Sequence, residues 1–201
     1  MVPGTVGYAE DADALVRRYE RLEFSEVHSD VLHLFPERPG RVLDVGAGSG
    51  RDAAALATAG HDVVAVEPTA EMRMRAQRLH PSERITWVND ALPDLQRLSE
   101  TPPFDAILLS AVWMHLDEQE RPSAMKRLTT MLAPGGGIVL TLRHGPMSPR
   151  HRMFDVSAEE TINLAEQAGL TLLHHNREED LLGRSTVSWS CLGFGWANAG
   201  A

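Results

Sequence analysis

The chain has 201 residues, an apolar share of 43% and a formal net charge of −9, a length that suits one domain with a sizeable core and requires no second. That acidic balance argues against an unassisted grip on a phosphate backbone, so nucleic acid is not an expected partner. A lone cysteine, Cys191, excludes an internal disulfide framework and a cysteine-rich zinc cluster, and no apolar run approaches membrane-spanning length; the expectation is a cytoplasmic monomer or homodimer without membrane contact or resident metal.

In chain order, the first expected element is a helical preface. Leu15, Tyr19, Leu22, Val27, Val31 and Leu34 recur at helical spacing between about Ala9 and Leu34, with Arg17, Arg18, Glu20 and Glu23 between them. Pro36 and Pro39-Gly40 end it, so residues 1–40 are read as an N-terminal helical cap and residues 41–201 as one compact unit.

Arg41 to Val45 is a short β-branched run that meets Gly46, Gly48 and Gly50, and an alanine-rich helix from Arg51 to Ala59 follows at once. Without β-carbons, such a strand-to-helix turn lets a ligand approach main-chain amides near the helix N-terminus. Asp44, just before the turn, can hold the loop or reach a cationic group of the ligand. Gly60 stops the helix, and His61 to Glu67 reads as a second buried strand. Glu67 lies about twenty residues beyond the glycines, where a nucleoside-binding fold places a carboxylate on the ribose hydroxyls. Thr69 is the expected N-cap of a helix through Leu79, and Ile85 to Asp90 the third strand. On residue type alone Asp90, before Leu92-Pro93, is a turn former.

Phe104 to Ser110 is the fourth strand and leads into Ala111-Val112-Trp113-Met114-His115-Leu116. Asp117 with Glu120 approximates a capping box and opens a helix to about Met131. Ala133 to Gly137 reads as a tight break before a fifth strand, Ile138 to Leu142. The next stretch, Arg143 to Phe154, gathers arginines and histidines on a proline-broken loop, either solvated or clamping an anionic acceptor such as a carboxylate. Ser157 to Glu160 is a second capping box, for a helix ending at Gly169. Leu170 to Asn176 and Ser185 to Leu192 then form an antiparallel closing pair, and the small residues from Gly193 to Ala201 are expected to fray.

Asp44-Val45-Gly46-Ala47-Gly48-Ser49-Gly50 resembles the first motif of class I S-adenosylmethionine (SAM) dependent methyltransferases, of the small-molecule type 11 and 25 kind. A nicotinamide fingerprint needs glycine where Arg51 stands. The resemblance covers roughly Val42 to Leu142. It implies an α/β fold, a doubly wound Rossmann-like sheet of seven strands in the order 3-2-1-4-5-7-6 with the last antiparallel. It also implies SAM as cofactor and S-adenosylhomocysteine as its product. The cofactor residues carried over are Asp44, Gly46, Ala47, Gly48, Asp52, Glu67 and Pro68. Asp90 would take the adenine amino group beside the Ala91 amide, and Ser110 and Ala111 would pass beneath the methionine. Trp113, Met114 and His115 would face the acceptor or back the methionine. A cap over the cofactor mouth makes Tyr8 and Tyr19 candidates for touching methionine or acceptor, core or surface tyrosine being the other reading. Ser110-Ala111-Val112-Trp113 departs from the Asn/Asp-Pro-Pro-aromatic segment of DNA amino-methyltransferases.

The implied function is methyl transfer to a nitrogen or oxygen of a small-molecule acceptor; on the clamp reading of the basic loop that acceptor is anionic, and Arg143 is among the candidate contacts. For an amine or phenol, a base helps remove the proton, and His115 and His144, at the ends of the fourth and fifth strands, are the candidates. Positioning alone is the alternative. Two further readings stand beside it: a non-catalytic SAM-binding regulatory module and an NAD-type oxidoreductase.

Overall fold

The computed structural model describes residues 2–197. Its strands are β1 (Arg41–Val45), β2 (Asp62–Val66), β3 (Ile85–Val88), β4 (Phe104–Leu109), β5 (Leu132–His144), β6 (Leu170–Glu179) and β7 (Ser188–Trp196). They form one seven-stranded sheet in the order β3-β2-β1-β4-β5-β7-β6. β1 pairs in parallel with β2 and β4, while β7 runs antiparallel between β5 and β6. The helices are α1 (Tyr8–Tyr19), α2 (Phe24–Val27), α3 (Arg51–Thr58), α4 (Ala70–Leu79), α5 (Glu120–Met131) and α6 (Ala158–Gln167). This is the architecture that the resemblance implied.

The central strands are buried because their side chains part alternately to two apolar layers. Leu43, Val45, Val64 and Val66 pack with Ile107 and Leu109 against α5 and α6. Val42, Val63, Ala65 and Leu108 pack against α3 and the segment carrying Val31 and Phe35. Each fully buried aliphatic side chain contributes about 1.5–3 kcal/mol. Because β1 has β2 on one side and β4 on the other, the chain reverses its winding there, and a crevice opens beyond the strand ends.

Three local expectations are corrected. The N-terminal preface is interrupted: after α1, Glu23 and Glu26 close a capping box that starts the short α2, and a 3₁₀ segment, Ser29–Leu34, completes it. The glycine break at 133–137 lies inside β5, where Phe104 pairs with Leu132 and Ala106 with Gly137, so the intervening residues bulge outward. Gly193 and Gly195 belong to β7, paired with Val139 and Gly137. A β-carbon at Gly193 would stand 2.2 Å from the Leu34 side chain, so the small residue marks a close approach. The rest of the expected fraying tail, residues 198–201, lies outside the described residues. Among the described residues no helix is long and apolar enough to cross a membrane.

Candidate active site

The site begins at the turn after β1. The amides of Gly46 and Ala47 both donate to the Val66 carbonyl, at 2.7 and 2.9 Å, which lashes the turn to the end of β2. Gly46 has a φ of +71° and a β-carbon there would lie 2.5 Å from a Val112 methyl, so only glycine fits between the strands' ends. Tyr19 stands over the turn, its ring 3.7 Å from where a Gly48 β-carbon would be.

Three carboxylates gather around this turn. Asp44 is buried, and its Oδ2 has no hydrogen-bond partner among the described residues. Burial, then the charge of Asp52, push its carboxyl well above the ordinary value. Asp52, in the first turn of α3, lies 2.6 Å from Arg51 and 3.1 Å from the fully buried His28. Burial alone would raise Asp52, but the hydrogen bond and charge of His28, with Arg51, hold it well below the carboxylate range. Glu67 accepts from the Gly48 amide at 2.9 Å and the Thr69 amide at 2.8 Å. Burial raises its carboxyl against the pull of those bonds.

A cavity of about 400 Å³ runs from this turn to the far ends of β4 and β5. Asp44, Gly46, Ala47, Gly48, Asp52, Glu67, Pro68, Asp90, Ala91, Ser110 and Ala111, the cofactor residues expected from the sequence, all line it. Asp90 spends both oxygens on main-chain amides, those of Ala91 at 2.9 Å and Arg97 at 2.7 Å. Ala111 holds a left-handed φ of +59°, and its amide donates to Thr141 Oγ1 at 2.8 Å. An orphaned buried carboxylate oxygen, behind a turn stripped of β-carbons, fits a nucleoside that carries an ammonium group, as SAM does.

The other end of the cavity is lined by Tyr8, Met114, His115, Arg143 and Trp189, with Tyr19 between. His115 Nδ1 lies 2.6 Å from the Arg152 carbonyl and its Nε2 3.0 Å from the Tyr8 hydroxyl. Burial lowers His115 below its ordinary value, opposed by the bond to Arg152. Burial also raises the phenols of Tyr8 and Tyr19.

Two expected site residues are not brought here. Thr141 and Arg143 both line the cavity, so His144 projects from the opposite face of β5 and bonds Ser190 Oγ at 2.8 Å. Trp113 is fully buried in the main core, although Met114 and His115 in the same turn reach the cavity. The basic loop is partly exposed, and two of its arginines are held in ion pairs. Arg150 pairs with Asp11 at 2.7 Å, with His151 3.5 Å from the same carboxylate, and Arg152 meets Asp117 and Glu120, each at 2.7 Å. Arg143 instead donates to the Pro146 carbonyl at 2.9 Å. Burial and the charge of Arg184 lower its affinity for its proton.

Sequence reasoning missed Thr141, Arg152, Arg184 and Trp189 as cavity residues. Only alternation along β5 from Arg143 pointed to Thr141; the others face the cavity through loop and hairpin packing that no local pattern encodes.

Residues 42–136 match the model of a methyltransferase domain. The chain is 35% identical over 126 residues to an uncharacterised methyltransferase of Bacillus licheniformis, covering 59% of this chain and 56% of that protein. It thus spans little more than half the length of that relative. Among solved structures, a TehB-like SAM-dependent methyltransferase of Corynebacterium glutamicum aligns with a TM-score of 0.68 at 21% identity, over 92% of this chain and 98% of that one. The 1,6-didemethyltoxoflavin-N1-methyltransferase of Burkholderia thailandensis, bound to 1,6-didemethyltoxoflavin and S-adenosylhomocysteine, aligns at 0.65 and 21%, over 96% and 88%. These two likenesses carry the fold alone. With the domain match, the sheet order and a glycine turn backed by acidic strand ends, residues 42–136 are similar to a methyltransferase domain and stand on the Rossmann-like sheet that SAM-dependent methyltransferases share.

Proposed function

We propose that this chain transfers a methyl group from SAM to a nitrogen or oxygen of a small, anionic acceptor. The observation that carries the reading is one cavity joining the orphaned Asp44 carboxylate at the glycine turn to His115 and Arg143 at the other end. When bound, SAM supplies a methyl group already activated on a sulfonium, so the protein needs no electrophile of its own. Asp44 would take its ammonium group, Glu67 its ribose hydroxyls, and the Asp90-Ala91 and Ser110-Ala111 segments its base and methionine chain. Residues 2–40 act as a cap that excludes water, with Tyr8 and Tyr19 turned inward.

At the acceptor end Arg143 is the cation to meet an anionic group: Arg51, Arg152 and Arg184 are each neutralised by a carboxylate, and Arg18, which also borders the cavity, is exposed on α1 with its guanidinium 5.9 Å from the Tyr19 ring. His115, its affinity for a proton lowered by burial, is the histidine on which the acceptor's proton ends. The buried thiol of Cys191, pushed up to about 12 by burial, is unreactive and takes no part in the transfer. By fold analogy alone, the Burkholderia neighbour named for transfer to N1 of a small molecule supports the acceptor class.

Calorimetry with S-adenosylhomocysteine tests the cofactor. Saturable binding is expected, and none at high micromolar concentration sinks the reading. Tritiated-methyl transfer to small phenols, amines and their carboxylated forms tests the acceptor. Preference for the carboxylated forms, lost in Arg143→Ala, is the expected result; equal rates on both forms remove Arg143 from acceptor recognition.

A further inference from the structure

We infer that Tyr8, rather than His115 itself, meets the acceptor's departing proton, and that His115 stores it, so the N-terminal segment supplies part of the catalytic machinery. This rests on the methyltransferase reading above and deepens it by naming the acceptor class: a nucleophile with a removable proton, such as a phenol or a ring N–H.

The hydrogen bonds determine the direction. The Arg152 carbonyl can only accept, so the Nδ1 facing it at 2.6 Å carries the hydrogen. In the neutral ring Nε2 then holds a bare lone pair, and the Tyr8 hydroxyl 3.0 Å away donates to it. Nε2 is therefore occupied, whereas the Tyr8 oxygen keeps its lone pairs. Both side chains line the cavity. An acceptor in that space finds the Tyr8 oxygen before it finds the imidazole.

The step balances. As the acceptor atom bonds the methyl carbon, the C–S bond breaks and its electron pair stays on sulfur. The acceptor's proton passes to Tyr8 Oη while the Tyr8 proton passes to His115 Nε2, leaving a neutral phenol and an imidazolium. The titratable groups around that imidazolium are Arg152, whose Nη1 donates to the His115 carbonyl at 3.1 Å, and His151. Asp117 and Glu120 already neutralise Arg152, so the new charge does not meet an unpaired guanidinium.

The dyad exists because α1 docks on the basic loop. A β-carbon at Gly7, where φ is +82°, would lie 2.4 Å from the Arg150 carbonyl, so the helix starts against the loop only through glycine. Asp11 then pairs with Arg150, and the Tyr8 ring rests on His151 with centroids 4.5 Å apart.

Nitrogen NMR of the full chain, free and with S-adenosylhomocysteine, reads the His115 tautomer and titration. The Nδ1–H tautomer is expected, and Tyr8→Phe should raise the His115 pKa by about one pH unit, because losing the donor frees Nε2 for a proton. An Nε2–H tautomer, or a titration that Tyr8→Phe leaves unmoved, overturns the relay. In transfer to phenol and imidazole probes, Tyr8→Phe and His115→Gln should each lower kcat at least about tenfold with KM little changed. His115→Gln keeps an acceptor for the Tyr8 hydroxyl yet cannot take its proton, which separates proton storage from positioning. Wild-type kcat in Tyr8→Phe also overturns the relay. Calorimetry keeps the two readings apart: a wild-type chain that fails to bind S-adenosylhomocysteine overturns the methyltransferase reading, while intact binding with an unmoved His115 overturns only the relay.

Discussion

The Gly48 amide donates to the Glu67 carboxylate at 2.9 Å, so the residue after β2 grips the turn after β1. The second carboxylate oxygen takes the Thr69 amide at 2.8 Å, which leaves the side chain fixed at the cavity wall by two main-chain donors. Glu67→Gln sets an NH₂ group against one of those donors. Stability should fall by about 1–3 kcal/mol in urea unfolding, with at least about tenfold weaker binding of S-adenosylhomocysteine. An affinity equal to wild type would remove Glu67 from the cofactor site.

Gly46 and Val112 are coupled by space. Gly46→Ala is expected to cost about 1–2 kcal/mol for its left-handed backbone, with a further cost for the contact at 2.5 Å. Val112→Ala relieves only the contact, so a double-mutant cycle should show a favourable coupling of at least about 0.5 kcal/mol. Additive effects would show that the crowding is absent in solution.

Asp44 is expected to lower the stability of the free chain in favour of binding. Its raised carboxyl means that the folded chain holds the proton more tightly than the unfolded one. Stability from this group is therefore full below the unfolded value of about 3.9 and lost as pH climbs through the folded one. Asp44→Asn should raise Tm more at about pH 8 than at about pH 5, while weakening the grip on SAM. Thermal scans at both pH values check it, and an equal change at the two contradicts the assignment.

Asp180 carries the opposite sign. Its carboxylate takes Arg184 Nη2 at 2.6 Å, Arg184 Nε at 2.9 Å and the Trp189 indole at 2.9 Å, closing the β6–β7 hairpin beside the cavity. The Arg184 hydrogen bonds hold it well below the carboxylate range. Its contribution is full above the unfolded value of about 3.9 and disappears as pH falls through the folded one. Acid titration should shift Trp189 fluorescence, and Asp180→Asn should abolish that transition. A transition of equal size in Asp180→Asn would assign it to another carboxylate.

The strands of the sheet were legible because β-branched runs and glycine punctuation are local, and so were the acidic residues at their ends, since strand ends in this topology share one rim. The helix starts at Asp117 and Ser157 were legible for the same reason: Glu120 and Glu160 supply the reciprocal or capped groups three residues on. His144 and Trp113 were misassigned to the site because nearness in sequence to Arg143 and His115 says nothing of which face a side chain takes.

By itself the sequence determined the fold class, the order of the elements and the acidic strand ends and glycine turn that line the cavity, all of which follow from spacings of a few residues. Only the tertiary structure decided what the basic loop binds, which histidine reaches the cavity, and that Tyr8 occupies its Nε2. Tyr8 and His115 are 107 positions apart, and a hydrogen bond over such a separation is specified by how α1 packs on α4 and on the basic loop, which no local pattern encodes.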